Sequence, residues 1–251
     1  MSQASAAPDS KSQPALLHTL TSLKLLAGGP TPNYNLAERL GDQINLSDSI
    51  ALARALMSLD KVKLGDNVSL ERPQRQFLNA RGGMIRFILR SFEPGETSVP
   101  FMLPATNRAT LDDPTEGVKP YLRFYSLHQS EMDHRVSKLR KSLRGSLSLD
   151  GPPRSRLAAL DRIVDDTFGE YGRHVLGGVT RLLGEHFSTQ RQAFLDSADA
   201  EQLTDPAAWT IEGGWIHGFQ QDMQQLLLAE LDLRLLPARA LLDALETQDK
   251  S

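Results

Sequence analysis

Cysteine is missing from the 251 residues, and its absence removes disulfides, thiolate metal sites and cysteine nucleophiles together. Long apolar runs are missing as well: none approaches the roughly 18–20 residues a membrane-spanning helix needs. Residues 1–15 are polar and rich in Ser, Ala and Pro, without the basic and apolar regions of a secretory signal. These absences favour a reducing cytoplasm. Hydrolytic motifs are missing too: there is no Gly-x-Ser-x-Gly, no Ser-x-x-Lys with its usual companions and no His-Glu-x-x-His. The pairs Gly28-Gly29, Gly82-Gly83, Gly177-Gly178 and Gly213-Gly214 lack the strand–turn–helix context and the Lys-Ser/Thr of a phosphate loop. They read as helix ends or bends.

What remains is an ordinary globular composition, 40% hydrophobic and 24% charged, in a chain long enough to bury a real core. The net charge of −3 conceals a segregation. Residues 60–156 hold 17 Lys/Arg against 11 Asp/Glu, whereas residues 196–251 hold 3 against 11. Such asymmetry favours contact with an oppositely charged surface, either external or within the chain itself.

Helical periodicity dominates. Residues 1–14 are too poor in apolar side chains to order on their own. Leu16, Leu20 and Leu23 recur at helical spacing, and Leu36, Leu40 and Ile44 do so again before a further helix over Ile50, Ala53, Leu56 and Met57. Residues 58–70 fit either a small β-hairpin or an irregular loop. Phe77, Met84, Ile85, Ile88 and Phe92 mark a helix weakened by Gly82-Gly83, and residues 94–118, with four prolines, read as a loop or linker. Tyr125, His128, Met132, Val136, Leu139, Leu143 and Leu147 then step at close to the heptad spacing of a coiled coil. Beyond the Gly151-Pro152-Pro153 turn, Leu157, Leu160, Val164, Phe168, Tyr171, Val175, Val179, Leu182 and His186 form one stripe. Helices over 121–149 and 154–192 are therefore expected to face each other through these stripes as an antiparallel hairpin.

The polar constellations are weak as chemistry. Glu131 and His134 have the Glu-x-x-His spacing of di-iron bundles, but His134 points away from the apolar arc and no second copy of the motif exists. Glu170 and His174 also face outward, and His186 reads as a boundary histidine with a hydrogen-bonded ring. Asp112-Asp113 and Asp165-Asp166 are adjacent carboxylates; in a helix such neighbours diverge by about 100° and cannot work as an acid/base dyad. No catalytic residue, cofactor or metal is expected, and the chain does not read as an enzyme.

Residues 215–237 are more telling. At about 100° per residue, Trp215, Ile216, Phe219, Met223, Leu226, Leu227 and Leu233 share one arc, and Glu230 and Arg234 fall inside it one turn apart. A buried, mutually paired acid and base is the expected resolution, because burying either charge alone is costly. Leu228, Leu231 and Leu235 lie outside the main arc, so this helix is expected to touch its own core on one side and something else on the other. Trp215, Phe219, Met223, Leu228, Leu231 and Leu235 are the candidate interaction residues. Pro237 is expected to end the helix before a short last one over 240–245. Two basic sets are also present: Arg135, Lys138, Arg140, Lys141 and Arg144, and Arg72, Arg75, Arg81, Arg86 and Arg90. They read as solvated helix faces or, alternatively, as a nucleic-acid surface, although the aromatics sit mostly on core faces.

The segments around Leu36 to Gly41 and Ser47 to Leu52, residues 121–147, residues 157–187 and, most specifically, Phe219 to Leu235 together resemble the proteobacterial domain of unknown function 3348. Two departures are visible: the turn before Ser47 lacks tryptophan, and residues 94–118 look like extra material. The resemblance brings no activity and no catalytic residues. It implies a cytoplasmic accessory to an envelope machine of proton-channel and OmpA-like components.

The expectation is an all-α protein: an elongated helical bundle built on the long hairpin, with a smaller N-terminal helical hairpin. Its parts are a tail (1–14), an N-terminal helical subdomain (15–93), a linker (94–118), the hairpin (119–196) and a C-terminal helical segment packed on it (197–251). The expected role is an interaction or scaffold component with a protein partner, through self-association or as part of a membrane complex. The alternative is nucleic acid on the Arg/Lys-rich faces.

Overall fold

A computed structural model describes residues 15–25, 71–149 and 151–246. Among the described residues there are six α-helices and no strand: α1 (Ala15–Ser22), α2 (Glu71–Ser91), α3 (Arg108–Asp112), α4 (Pro114–Ser148), α5 (Pro152–Ser197) and α6 (Trp215–Glu246). The protein is all-α. The tail, the helices expected over 36–44 and 50–57, and the segment 58–70 lie outside the described residues.

Contacts fix the helix directions. Moving back along α4 through Arg144, Arg140 and Gln129, the partners on α5 are Asp161, Asp165 and Leu176, so the two helices run in opposite directions. Gln74 and Arg81 of α2 meet Glu246 and Asp232, and Gln76 and Ser91 meet Ser142 and His128, so α2 opposes both α6 and α4. Tyr121 lies on Phe219 and Asp133 on Arg234, so α4 and α6 run the same way. Helices α1, α2, α4 and α5 all touch α6.

Three helical details depart from the sequence expectation. First, α4 begins at Pro114, inside the stretch whose prolines predict a linker. Asp113 caps it by accepting from the Thr115 and Glu116 amides at 2.9 and 3.0 Å, and a proline at the first helical position suits a helix start. Gly117 lets α3 lie against α4, because a Cβ there would stand 2.6 Å from the Thr110 carbonyl oxygen. Second, α6 passes through Pro237 to Glu246 in one piece. The proline forfeits one backbone hydrogen bond, but Leu235, Ala238, Leu241, Leu242 and Leu245 are buried around it and hold both halves in line. Third, α2 and α5 run unbroken through Gly82-Gly83 and Gly177-Gly178.

The α4 stripe is buried as expected by its periodicity, with Met132, Leu139, Leu143 and Leu147 in the core. The α5 stripe is not. Only Val179 of its nine members is fully buried, and the face turned toward α4 lies roughly 100° further round the helix. Arg140 and Arg144 lie on the side of α4 that meets α5 and pair there with Asp161 and Asp165. The same side of α5 buries Ala158, Leu183 and Phe187, so ion pairing and apolar packing together turn the helix away from its regular stripe.

Candidate functional site

Glu230 is the most buried charge described, at 0% exposure. It is fully served. Arg234 donates to Oε1 from Nε at 2.8 Å and from Nη2 at 2.7 Å, Tyr125 donates its hydroxyl to Oε2 at 2.9 Å, and Gln129 donates to both oxygens. Arg234 also donates to Asp133 at 3.0 Å, and Arg173 stands 3.6 Å from the same carboxylate. The result is two carboxylates and two guanidiniums joining α4, α5 and α6. Burial, with the adjacent Glu230 charge, pushes the Tyr125 hydroxyl well above its usual range, so it stays a neutral donor. The arrangement ties the three helices together, and its Asp133, Arg173 and Arg234 side borders a small cleft of about 210 Å³.

The expected basic face is largely spent on internal pairing. Arg140 and Arg144 form a four-membered cluster with Asp161 and Asp165, with Arg140 to Asp161 at 2.7 Å and Arg144 to Asp161 at 2.9 Å. Burial opposes the Arg144 charge, but its hydrogen bonds to both aspartates leave its pKa raised. Arg135 donates to Glu131 at 2.6 Å and lies 4.7 Å over the Phe87 ring. Lys138 and Lys141 are exposed.

One hydroxyl–imidazole pair went unnoticed in the sequence because its members are 37 positions apart. Ser91 Oγ lies 2.7 Å from His128 Nε2, and His128 Nδ1 lies 2.8 Å from the Phe124 carbonyl oxygen, to which it must donate. A nucleophile and its base have this spacing. Here both groups are buried, and the imidazole packs against Phe87, Phe92, Phe101 and Phe124. Burial holds the His128 pKa below its usual value. The pair joins the end of α2 to α4. His186 lies 2.7 Å from Asp222, whereas His134 is exposed. No group of His, Asp and Glu able to hold a metal ion occurs among the described residues.

Of the candidate interaction residues, Phe219, Met223, Leu231 and Leu235 are buried, and Trp215 and Leu228 are partly buried against the core. The second side of α6 is occupied within the chain, where α1 and α2 lie along it. Apolar surface is exposed elsewhere. On α5, Val164, Tyr171 and Val175 are 40, 39 and 52% exposed, and with Phe168 they follow one another at three- and four-residue steps along a single face.

A cleft of about 720 Å³ opens where α5 ends and α6 begins. Its walls include Gln190, Phe194, Trp209, Ile211, Glu212 and Trp215. Phe194 stacks on Trp215 with ring centroids 5.6 Å apart and meets Trp209 edge-on at 6.0 Å. Residues 198–214 wrap around Trp209, whose indole N–H donates to the Gln202 carbonyl at 2.6 Å. The wrap closes tightly at Gly214, where a Cβ would stand 2.3 Å from the Trp209 carbonyl oxygen. The Trp215 indole N–H is covered and meets no hydrogen-bond acceptor in the structure. Trp215 and the Gly213-Gly214 pair are visible in the sequence, but the cleft is not, because it depends on Phe194 and Trp209 arriving from the other side.

No helix among the described residues is long and apolar enough to cross a membrane. No curated protein and no solved structure matches the chain. A family model does, over residues 1–247, and it is described as "Protein of unknown function (DUF3348)". The region matched takes in every described helix, and the chain belongs to that family.

Proposed function

We propose that this chain is a helical interaction component, a scaffold rather than an enzyme, whose antiparallel α4–α5 hairpin forms the frame of an elongated bundle. The setting we read for it is a larger assembly, as an accessory on the cytoplasmic side of an envelope machine. The observation that carries this reading is the α5 stripe, on which Val164, Tyr171 and Val175 are left open on a helix of regular apolar period. Exposed apolar patches of this kind commonly mark contact surfaces.

The test compares the full chain with a Tyr171→Glu, Val175→Glu double variant in cross-linked pull-downs from the native cell. The expected result is an unchanged helical spectrum and at least a tenfold loss of the retained partner. A partner retained equally by both proteins sinks the proposal. Retention on heparin that falls steeply with salt would instead favour nucleic acid.

A further inference from the structure

The two ends of α5 carry opposite chemistry. At its start, residues 138–166 hold seven Lys/Arg against four Asp/Glu; Arg140 and Arg144 are paired with Asp161 and Asp165, and Lys138 and Lys141 are exposed. At the tip of this region Leu149, which caps the end of α4, is 75% exposed. It is an aliphatic side chain projecting from a cationic end. At the far end of α5 lies the aromatic cleft. Residues 193–214 around it hold five Asp/Glu and no Lys/Arg, Glu212 stands in its wall and Ile211 is 63% exposed at its edge.

We infer that the aromatic cleft is the docking site for the Leu149 tip of a second copy of this chain, giving head-to-tail association. The apolar knob enters a cleft floored by Phe194 and Trp215, and the cationic end meets the acidic wrap. The contact is intermolecular by geometry. From Pro152 to Gln190, where the cleft begins, α5 advances 38 residues, about 57 Å at 1.5 Å per residue, so a chain cannot fill its own cleft. Because the two surfaces differ, the contact is heterologous, and it continues as a filament or closes as a ring. It uses residues remote from the exposed α5 stripe, so this inference and the proposed function stand or fall separately.

A complementation experiment decides it, using the full chain, light-scattering mass and sedimentation velocity. Wild-type protein is expected to grow in mass with concentration above the 27.7 kDa of one chain. Raising the salt from about 0.05 to 0.5 M should weaken the association at least tenfold, because the ends attract through exposed charge. Leu149→Glu, which keeps its cleft, and Ile211→Lys, which keeps its tip, should each remain at one chain's mass. Mixed together, they should form a 1:1 dimer and nothing larger. Leu149→Ser and Ile211→Ser repeat the test without new charge, and helical spectra confirm that each variant is folded. The inference is overturned by a wild-type chain that stays at one mass up to about 100 µM, by assembly that survives either substitution, or by a mixture that fails to dimerise.

Discussion

Helices α5 and α6 are both long, and their relation to the core is opposite. Over 32 residues α6 buries side chains all around its axis, from Ile216 and Phe219 through Leu226, Glu230 and Leu231 to Leu242 and Leu245. Over 46 residues α5 fully buries only Ala158, Val179, Leu183 and Phe187 among its aliphatic and aromatic side chains. Yet α5 has the cleaner apolar stripe and α6 the more scattered leucines. A regular stripe shows that a helix could bury one face. Leucines scattered around the axis show that a helix must be enclosed, since each direction needs its own neighbour. Here α6 is enclosed and α5 stands at the edge.

The sharpest test of that contrast is Glu230→Ala. Removing the carboxylate strands Arg234, whose side chain is 8% exposed, beside a Tyr125 hydroxyl that has lost its acceptor. A loss of about 3–5 kcal/mol is expected in urea unfolding. A loss below about 1 kcal/mol would mean that the α4–α5–α6 charge cluster is incidental to the enclosure of α6. The next test sets one apolar truncation on each helix. Leu231→Ala removes fully buried volume and should cost about 2–5 kcal/mol, against less than about 0.5 kcal/mol for Val175→Ala on the open stripe. Equal costs would erase the distinction between the helices. The smallest effect runs the other way. A Cβ added at Gly172 meets nothing within 4 Å, so Gly172→Ala should stabilise α5 by about 0.5–1 kcal/mol through helix propensity alone. Destabilisation, seen as a lower urea midpoint, would reveal a neighbour on that face.

Sequence periodicity made the helices legible, and with them the cores of α4 and α6. The pairing of Glu230 with Arg234 was legible as well, because an acid and a base one turn apart inside an apolar arc leave few other solutions. Their further partners were not. Tyr125, Gln129 and Asp133 come from another helix, and nothing local to residue 230 points to them. The rotation of α5 had a signal that went unread: Arg140 and Arg144 are spaced by four, as are Asp161 and Asp165, so matched pairs face each other across the turn. Composition also hid a helix start. Asp113, Pro114 and Glu116 form an N-terminal signature that the surrounding prolines made look like linker. The aromatic cleft was the least legible feature, since its walls come from α5, the wrap over 198–214 and α6.

The enclosure of α6 also sets a schedule for synthesis. The helices α1, α2, α4 and α5 leave the ribosome before it, each with apolar side chains that α6 helps to cover. At about 5–20 residues per second, the interval from the emergence of α2 to that of α6 is on the order of 10 s. Throughout it the nascent chain carries unburied leucine and phenylalanine on helices already long enough to form. Pairing of α4 with α5 and of α2 with α4 can precede it, but full enclosure of those faces waits on α6.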